Sequence, residues 1–175
     1  DILAACADNA EGIALLSRER IGGELCKLLA APNPAPAMAA MSNVGVLRHC
    51  ITGIDLRALS PLIHLEGLQK ISPSPARRLA ALGGEEVQTA LRLSKSLARK
   101  VALLRDLASG GMAAAEMGYR HGMEMARDAL LLRHAFFETP LDLAEVDAAQ
   151  RGACAKFPVS AADLMPQLQG PELGQ

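Results

Sequence analysis

Apolar residues recur every three or four positions along most of the chain, which is the period of an amphipathic helix. The clearest case follows Ser17, where the apolar stripe consists of Ile21, Leu25, Leu28 and Leu29. Ser17 is a favourable N-cap, and Glu19 complements the positive end of the helix dipole. The pattern therefore predicts a helix that begins near Ser17.

Start and stop signals divide the rest of the chain into further short helices. Asn33-Pro34 and Ser74-Pro75 each join an N-cap to a proline in the first turn, and Ser94 is another cap. Gly45 and the glycine pairs at 83–84 and 110–111 are suited to end helices. Further helices are expected over 47–51, 55–68, 85–93, 112–117, 122–136, 141–150 and from residue 160. Since sustained strand-like alternation is absent from the sequence, we predict an all-α fold, an irregular bundle or stack of about ten short helices.

The composition supports the helical prediction and excludes a membrane span. Half of the 175 residues are apolar, but only four are aromatic, and the Ala and Leu that dominate favour helix. No apolar run approaches the roughly 20 residues that cross a bilayer. The first residues lack the basic and apolar regions of a secretory signal. We therefore expect a cytoplasmic chain without a membrane partner.

The sequence lacks the common signatures of an active site. It has no phosphate-binding glycine loop, no nucleophile-elbow motif and no zinc-protease motif. The four cysteines form no CxxC pair, so they are interpreted as reduced thiols and not as zinc ligands or disulfides. These residues are Cys6, Cys26, Cys50 and Cys154. The sequence therefore argues against a complete enzyme of unknown type, which is the least favoured of the functions considered.

Two histidines and one acidic cluster have simpler interpretations than catalysis. His121 with Glu124 and His134 with Glu138 have the spacing of surface pairs on a helix. The acidic cluster is interpreted as the N-terminal charge of one helix and not as a metal site; it comprises Asp142, Glu145 and Asp147. No catalytic or metal-binding residue is therefore predicted.

Basic residues are concentrated in the middle of the chain. Residues 48–133 carry thirteen basic and eight acidic side chains, whereas both flanks are acidic. A basic face of this kind can bind a phosphate backbone, and the alternative is a solvated helical face. The candidate RNA-binding residues are Arg77, Arg78, Arg92, Lys95, Arg99, Lys100 and Arg105. The spacing predicts that Arg92, Lys95 and Arg99 share one helix face, and Tyr119 is expected in the core.

Four stretches together resemble a known family. Residues 17–29 read SRERIGGELCKLL, and 31–47 continue with APNPAPA and, further on, GVL. Residues 91–94 read LRLS, and the end of the chain carries FPVSAADL and GPELG. In this order they resemble the neck, body and tail of bacterial CCA-adding tRNA nucleotidyltransferases and related poly(A) polymerases. The neck motif falls on Ser17, Glu19, Arg20 and Glu24, for which a structural role is expected.

The resemblance implies a division of the chain and a missing catalytic part. It assigns residues 1–31 to a neck remnant, 32–110 to a helical body and 111–175 to a truncated helical tail. The catalytic head of this family uses a Gly-Ser element and an Asp-x-Asp pair to hold Mg²⁺, and CTP or ATP is its substrate. A Glu-Asp-x-x-Arg motif in the head reads the incoming base. The present sequence has none of these motifs. The chain is therefore expected to be inactive alone, and to need no cofactor itself.

Two functions remain open at this point. The first is a tRNA-binding region that positions the acceptor arm for 3′-end addition by a head domain of the same polypeptide, with tRNA as partner and no DNA. The second is a free-standing helical scaffold for protein interactions. The excess of basic residues between 77 and 105 favours the first. Whether the complete nucleotidyltransferase would add CCA, part of CCA or poly(A) depends on residues of its catalytic head domain.

Overall fold

The computed structural model describes residues 10–156, and this part of the chain is an all-α bundle, as predicted. A 3₁₀ helix over Ala10–Leu15 precedes nine α-helices within the described range. The α-helices are α1 (Arg18–Ala30), α2 (Ala35–Asn43), α3 (Val46–Cys50), α4 (Leu59–Leu68), α5 (Pro75–Ala81), α6 (Val87–Ala90), α7 (Lys95–Ser109), α8 (Ala114–Phe136) and α9 (Leu143–Cys154).

Three serine caps start helices where the sequence predicts them. The Ser17 hydroxyl accepts a hydrogen bond from the backbone N–H of Arg20 at 3.3 Å. Ser74 caps α5 and Ser94 caps α7 in the same way. Each cap satisfies one of the backbone donors that the first turn leaves without an intrahelical acceptor. α2 begins at Ala35, one residue later than the proline predicts.

The segment between α3 and α4 differs from its prediction. The helix expected from residue 55 begins only at Leu59. The backbone N–H of Asp55 instead donates to the carbonyl of Leu82 at 2.9 Å, beside an isolated bridge between Ile54 and Gly83. Backbone groups that pair across the molecule are not available to a helical turn, so tertiary pairing delays the start of α4.

The long helix α8 joins two helices that the sequence predicts as separate, over 112–117 and 122–136, and the residues between them are helical. Gly122 has φ 78° and ψ 165°, which separates two helical segments inside Ala114–Phe136. α9 packs closely against α8 through small residues. A Cβ added at Gly118 would lie 2.0 Å from the carbonyl oxygen of Ala149, and one added at Gly152 would lie 1.9 Å from that of Ala115. The two backbones can approach this far only because both positions are glycine.

One cluster of buried side chains runs through the described residues from Ile21 to Ala149. It crosses all three segments of the predicted division, whose boundaries at 31 and 110 stay a prediction. The predicted helix from Ser160 and the C-terminal motif lie outside the described residues. Between residues 10 and 156, every helix is too short or too polar to cross a membrane.

Candidate nucleic-acid interface

Arg77 lies in the core and not on the expected basic face. Its side chain is 2 % exposed. Nε donates to Glu66 Oε1 at 2.8 Å, and one terminal nitrogen donates to Asp128 Oδ1 at 2.6 Å. The other terminal nitrogen donates to the backbone carbonyl of Ser72 at 2.8 Å. The guanidinium is therefore fully engaged inside the protein.

Arg78 is buried beside it and connects α5 to the end of α1. Its side chain is 1 % exposed, and it forms an ion pair with the second oxygen of Glu66 at 2.7 Å. It also donates to the carbonyls of Leu29 and Ala31, at the C-terminus of α1. The expectation that Arg77 and Arg78 lie at an RNA-binding surface is thus corrected, because burying two guanidiniums requires internal carboxylates and carbonyls as partners.

Arg105 and Lys100 are also partly committed to internal contacts. Arg105 donates to four carbonyls around the end of α5, those of Leu79, Ala80, Gly83 and Gly84. Burial lowers the pKa of its guanidinium. Lys100 pairs with Glu124 at 3.0 Å, and this hydrogen bond lowers the pKa of the Glu124 carboxyl. Arg105 therefore caps a helix, whereas Lys100 keeps one third of its side chain exposed (33 %).

The remaining three candidates, Arg92, Lys95 and Arg99, are exposed. Lys95 and Arg99 are one turn apart at the start of α7, on the same side of the helix. Arg92 does not share that face, because it precedes the helix with φ 47°. Its Nε lies 3.9 Å from Glu19 Oε1, so Arg92 faces the beginning of α1.

A polar cleft of about 510 Å³ lies where Arg92 meets α1 and α3. Three arginines line it, Arg18, Arg48 and Arg92, together with His49, Glu85 and Glu86. One terminal nitrogen of Arg18 donates to the His49 carbonyl at 2.8 Å. Sequence reasoning missed Arg18 and Arg48, because the residues that form the cleft come from three separate segments. We call this arrangement the arginine cleft.

The neck motif has mainly structural contacts. Ser17 caps α1, and Glu24 forms an exposed pair with Lys27 at 2.9 Å. Arg20 is exposed and lies on α1 beside an apolar groove, away from the arginine cleft. Glu19 is the member of the motif that reaches Arg92. The motif thus begins α1 and holds its first turn against the basic segment.

Three other expectations have mixed outcomes. Tyr119 is 51 % exposed and not in the core. His134 pairs with Glu145 at 2.9 Å and with Thr139, not with Glu138. The acidic cluster begins a helix as predicted, since Asp142 accepts a hydrogen bond from the N–H of Ala144 at 2.8 Å.

Comparison with known families agrees with the motifs in the first third of the chain. Residues 1–56 match a family described as the probable RNA- and SrmB-binding site of polymerase A. Curated proteins give no match. The matched range contains α1 to α3 and two of the three arginines of the cleft, Arg18 and Arg48. Residues 1–56 are therefore similar to the RNA-binding region of polymerase A.

Proposed function

We propose that this chain is the tRNA-binding helical region of a tRNA nucleotidyltransferase. In this role it holds the acceptor arm while a catalytic head domain, with Mg²⁺ and CTP or ATP, extends the 3′ end. The observation that carries the proposal is the match of residues 1–56 to a family described as an RNA-binding site. Arg92, Lys95 and Arg99 are exposed, and Arg92 reaches Glu19 within the matched range. A cytoplasmic location fits this role.

Recognition by this surface is expected to depend on shape and charge. The A-form helix of an acceptor arm has a deep, narrow major groove, so side chains reach phosphates and 2′-hydroxyls more readily than base edges. The exposed cations Lys95 and Arg99 are one turn apart, and Arg92 extends the set toward α1. These exposed cations support a surface that follows a phosphate backbone without reading its sequence.

The decisive experiment is a tRNA-binding titration at several salt concentrations. Each phosphate that a cation neutralises releases counterions, so log Kd should change with log salt by about 0.7 to 0.9 per contact. The variant with Arg92, Lys95 and Arg99 changed to Glu should lose binding and keep its helicity. A matched control changes Lys27, Arg151 and Lys156 to Glu, three residues that are exposed outside the proposed surface. Equal binding by the first variant and wild type would contradict this surface.

The alternative, a protein-interaction scaffold, rests on a different surface. Leu15 is 89 % exposed, and neighbouring Leu16 and Ile21 border an apolar groove of about 290 Å³. Apolar surface of this kind is more typical of protein contacts than of RNA contacts. If wild type binds no tRNA even at low salt, the scaffold becomes the better hypothesis.

A further inference from the structure

We infer that the arginine cleft binds one nucleotide unit of unpaired RNA, with arginines on the phosphate and a carboxylate on the ribose 2′-hydroxyl. This rests on the proposed RNA-binding function and assigns it a specific site. Of the three exposed cations Arg92, Lys95 and Arg99, only Arg92 lines the cleft. Its volume of about 510 Å³ lies in the range of pockets that take one small ligand.

The three guanidiniums approach the cleft from different elements. Arg18 comes from the first turn of α1, Arg48 from α3 and Arg92 from the loop before α7. Arg18 uses one terminal nitrogen to bind the His49 carbonyl, and a guanidinium has further donors for a ligand. Arg48 lies over Gly45, where an added Cβ would be 3.1 Å from its Cζ. The contact with the His49 carbonyl holds the Arg18 side chain at the cleft. Arg48 borders both this cleft and the neighbouring pocket that Gly45 lines.

The charges in the cleft fit one nucleotide better than a free anion. The lining residues Arg18, Arg48 and Arg92 with Glu85 and Glu86 carry a net charge of +1, and Glu19 lies at the edge of this group, 3.9 Å from the Arg92 Nε. A site for phosphate alone would gain nothing from carboxylates, because they repel it. A carboxylate can, however, accept a hydrogen bond from a 2′-hydroxyl, the group that distinguishes RNA from DNA.

Fluorescence anisotropy with a labelled eight-nucleotide RNA and the DNA of the same sequence tests the arginines. Changing Arg18 and Arg48 to Gln together should weaken RNA binding by about tenfold or more, the effect of losing charge-assisted phosphate contacts. The control changes Arg20 and Lys27 to Gln, which removes the same amount of charge from positions of α1 outside the cleft. It should leave affinity within about twofold. Arg48→Gln alone, at an exposed side chain, serves if the double variant fails to fold.

The carboxylates have a separate readout, the ratio of RNA to DNA affinity. Changing Glu85 and Glu86 to Gln should lower this ratio toward one, because a weaker acceptor faces the 2′-hydroxyl. If the carboxylates only repel the backbone, the variant will bind RNA and DNA more tightly by the same factor, which contradicts the assignment. Inorganic phosphate should not displace RNA at concentrations where unlabelled RNA does. Displacement by phosphate alone would make the cleft a general anion site and overturn the inference.

The outcomes separate this inference from the proposed function. If wild type binds neither tRNA nor the short RNA, the proposed function fails. If wild type binds both and the Arg18 and Arg48 variants bind equally well, only the cleft assignment fails.

Discussion

At the scale of single residues, Glu66 holds the buried charges together. One carboxylate oxygen accepts from Arg77 and the other from Arg78, and the Glu66 side chain is 3 % exposed. Asp128 supplies the second negative charge, at 2.6 Å from Arg77. Two arginines and two carboxylates thus neutralise each other between α4, α5 and α8. A buried pair of this kind gives little net stability over apolar residues, but breaking it is costly.

Glu66→Gln should therefore be strongly destabilising. The change leaves two buried guanidiniums with one carboxylate, and removing one partner of a buried pair costs about 3 to 5 kcal/mol. The free energy of unfolding from urea titration, followed by circular dichroism, measures the loss. Glu24→Gln is the control, because its pair with Lys27 is exposed and should contribute about 0.5 kcal/mol or less. Equal effects of the two changes would show that the buried network is misplaced.

At the scale of elements, the stability of α1 depends on the N-cap that the sequence predicts at Ser17. Ser17 accepts from the N–H of Arg20, and Ser17→Ala should lower stability by about 1 kcal/mol. Ser42→Ala, at an exposed position near the end of α2, should change it by less than about 0.5 kcal/mol. Thermal unfolding of the two variants checks the difference. An unchanged midpoint for Ser17→Ala would place the start of α1 elsewhere.

The pairing of α8 with α9 makes a second prediction at this scale. Gly118→Ala would force a methyl group against the backbone of α9, and overpacking of this kind costs about 1 to 3 kcal/mol. Gly23→Ala is the matched control, since a Cβ there meets nothing within 4 Å and alanine favours helix by about 0.5 to 1 kcal/mol. The two changes should thus shift the unfolding midpoint in opposite directions. A neutral Gly118→Ala would mean that the helices can separate without loss.

At the scale of the whole molecule, folding sorts the basic residues by use. Arg77 and Arg78 pair with buried carboxylates, and Arg105 caps the C-terminus of α5. Arg92, Lys95 and Arg99 remain exposed. The sequence presents seven basic residues as one stretch. Three of them have structural roles, so the basic surface that remains is smaller. Lys100, paired with Glu124, stands at its edge.

The chain of 175 residues should not add nucleotides by itself. It lacks the Asp-x-Asp pair that holds the metal ions in the resembling enzymes. We expect no incorporation when the pure chain is incubated with tRNA lacking its 3′ end, CTP, ATP and Mg²⁺. A complete CCA-adding enzyme in the same assay is the positive control. Incorporation by the chain above background would contradict the proposed role.

The helical class and most helix starts follow from the sequence alone. Ser17, Ser74 and Ser94 cap helices where the pattern places them. These features depend on groups within a few residues of each other, so local sequence is sufficient. The match of residues 1–56 agrees with the motif at residues 17–29, which is also recognisable from the local sequence.

Only the tertiary structure decided which charges reach solvent. Arg77 finds its partners 11 and 51 positions away, and Arg18, Arg48 and Arg92 meet across three segments. The delayed start of α4 has the same origin, because Asp55 pairs with Leu82. Charge and spacing in a sequence do not specify burial, since burial depends on which distant elements pack together. The arginine cleft therefore became visible only once α1, α3 and the loop before α7 were in place.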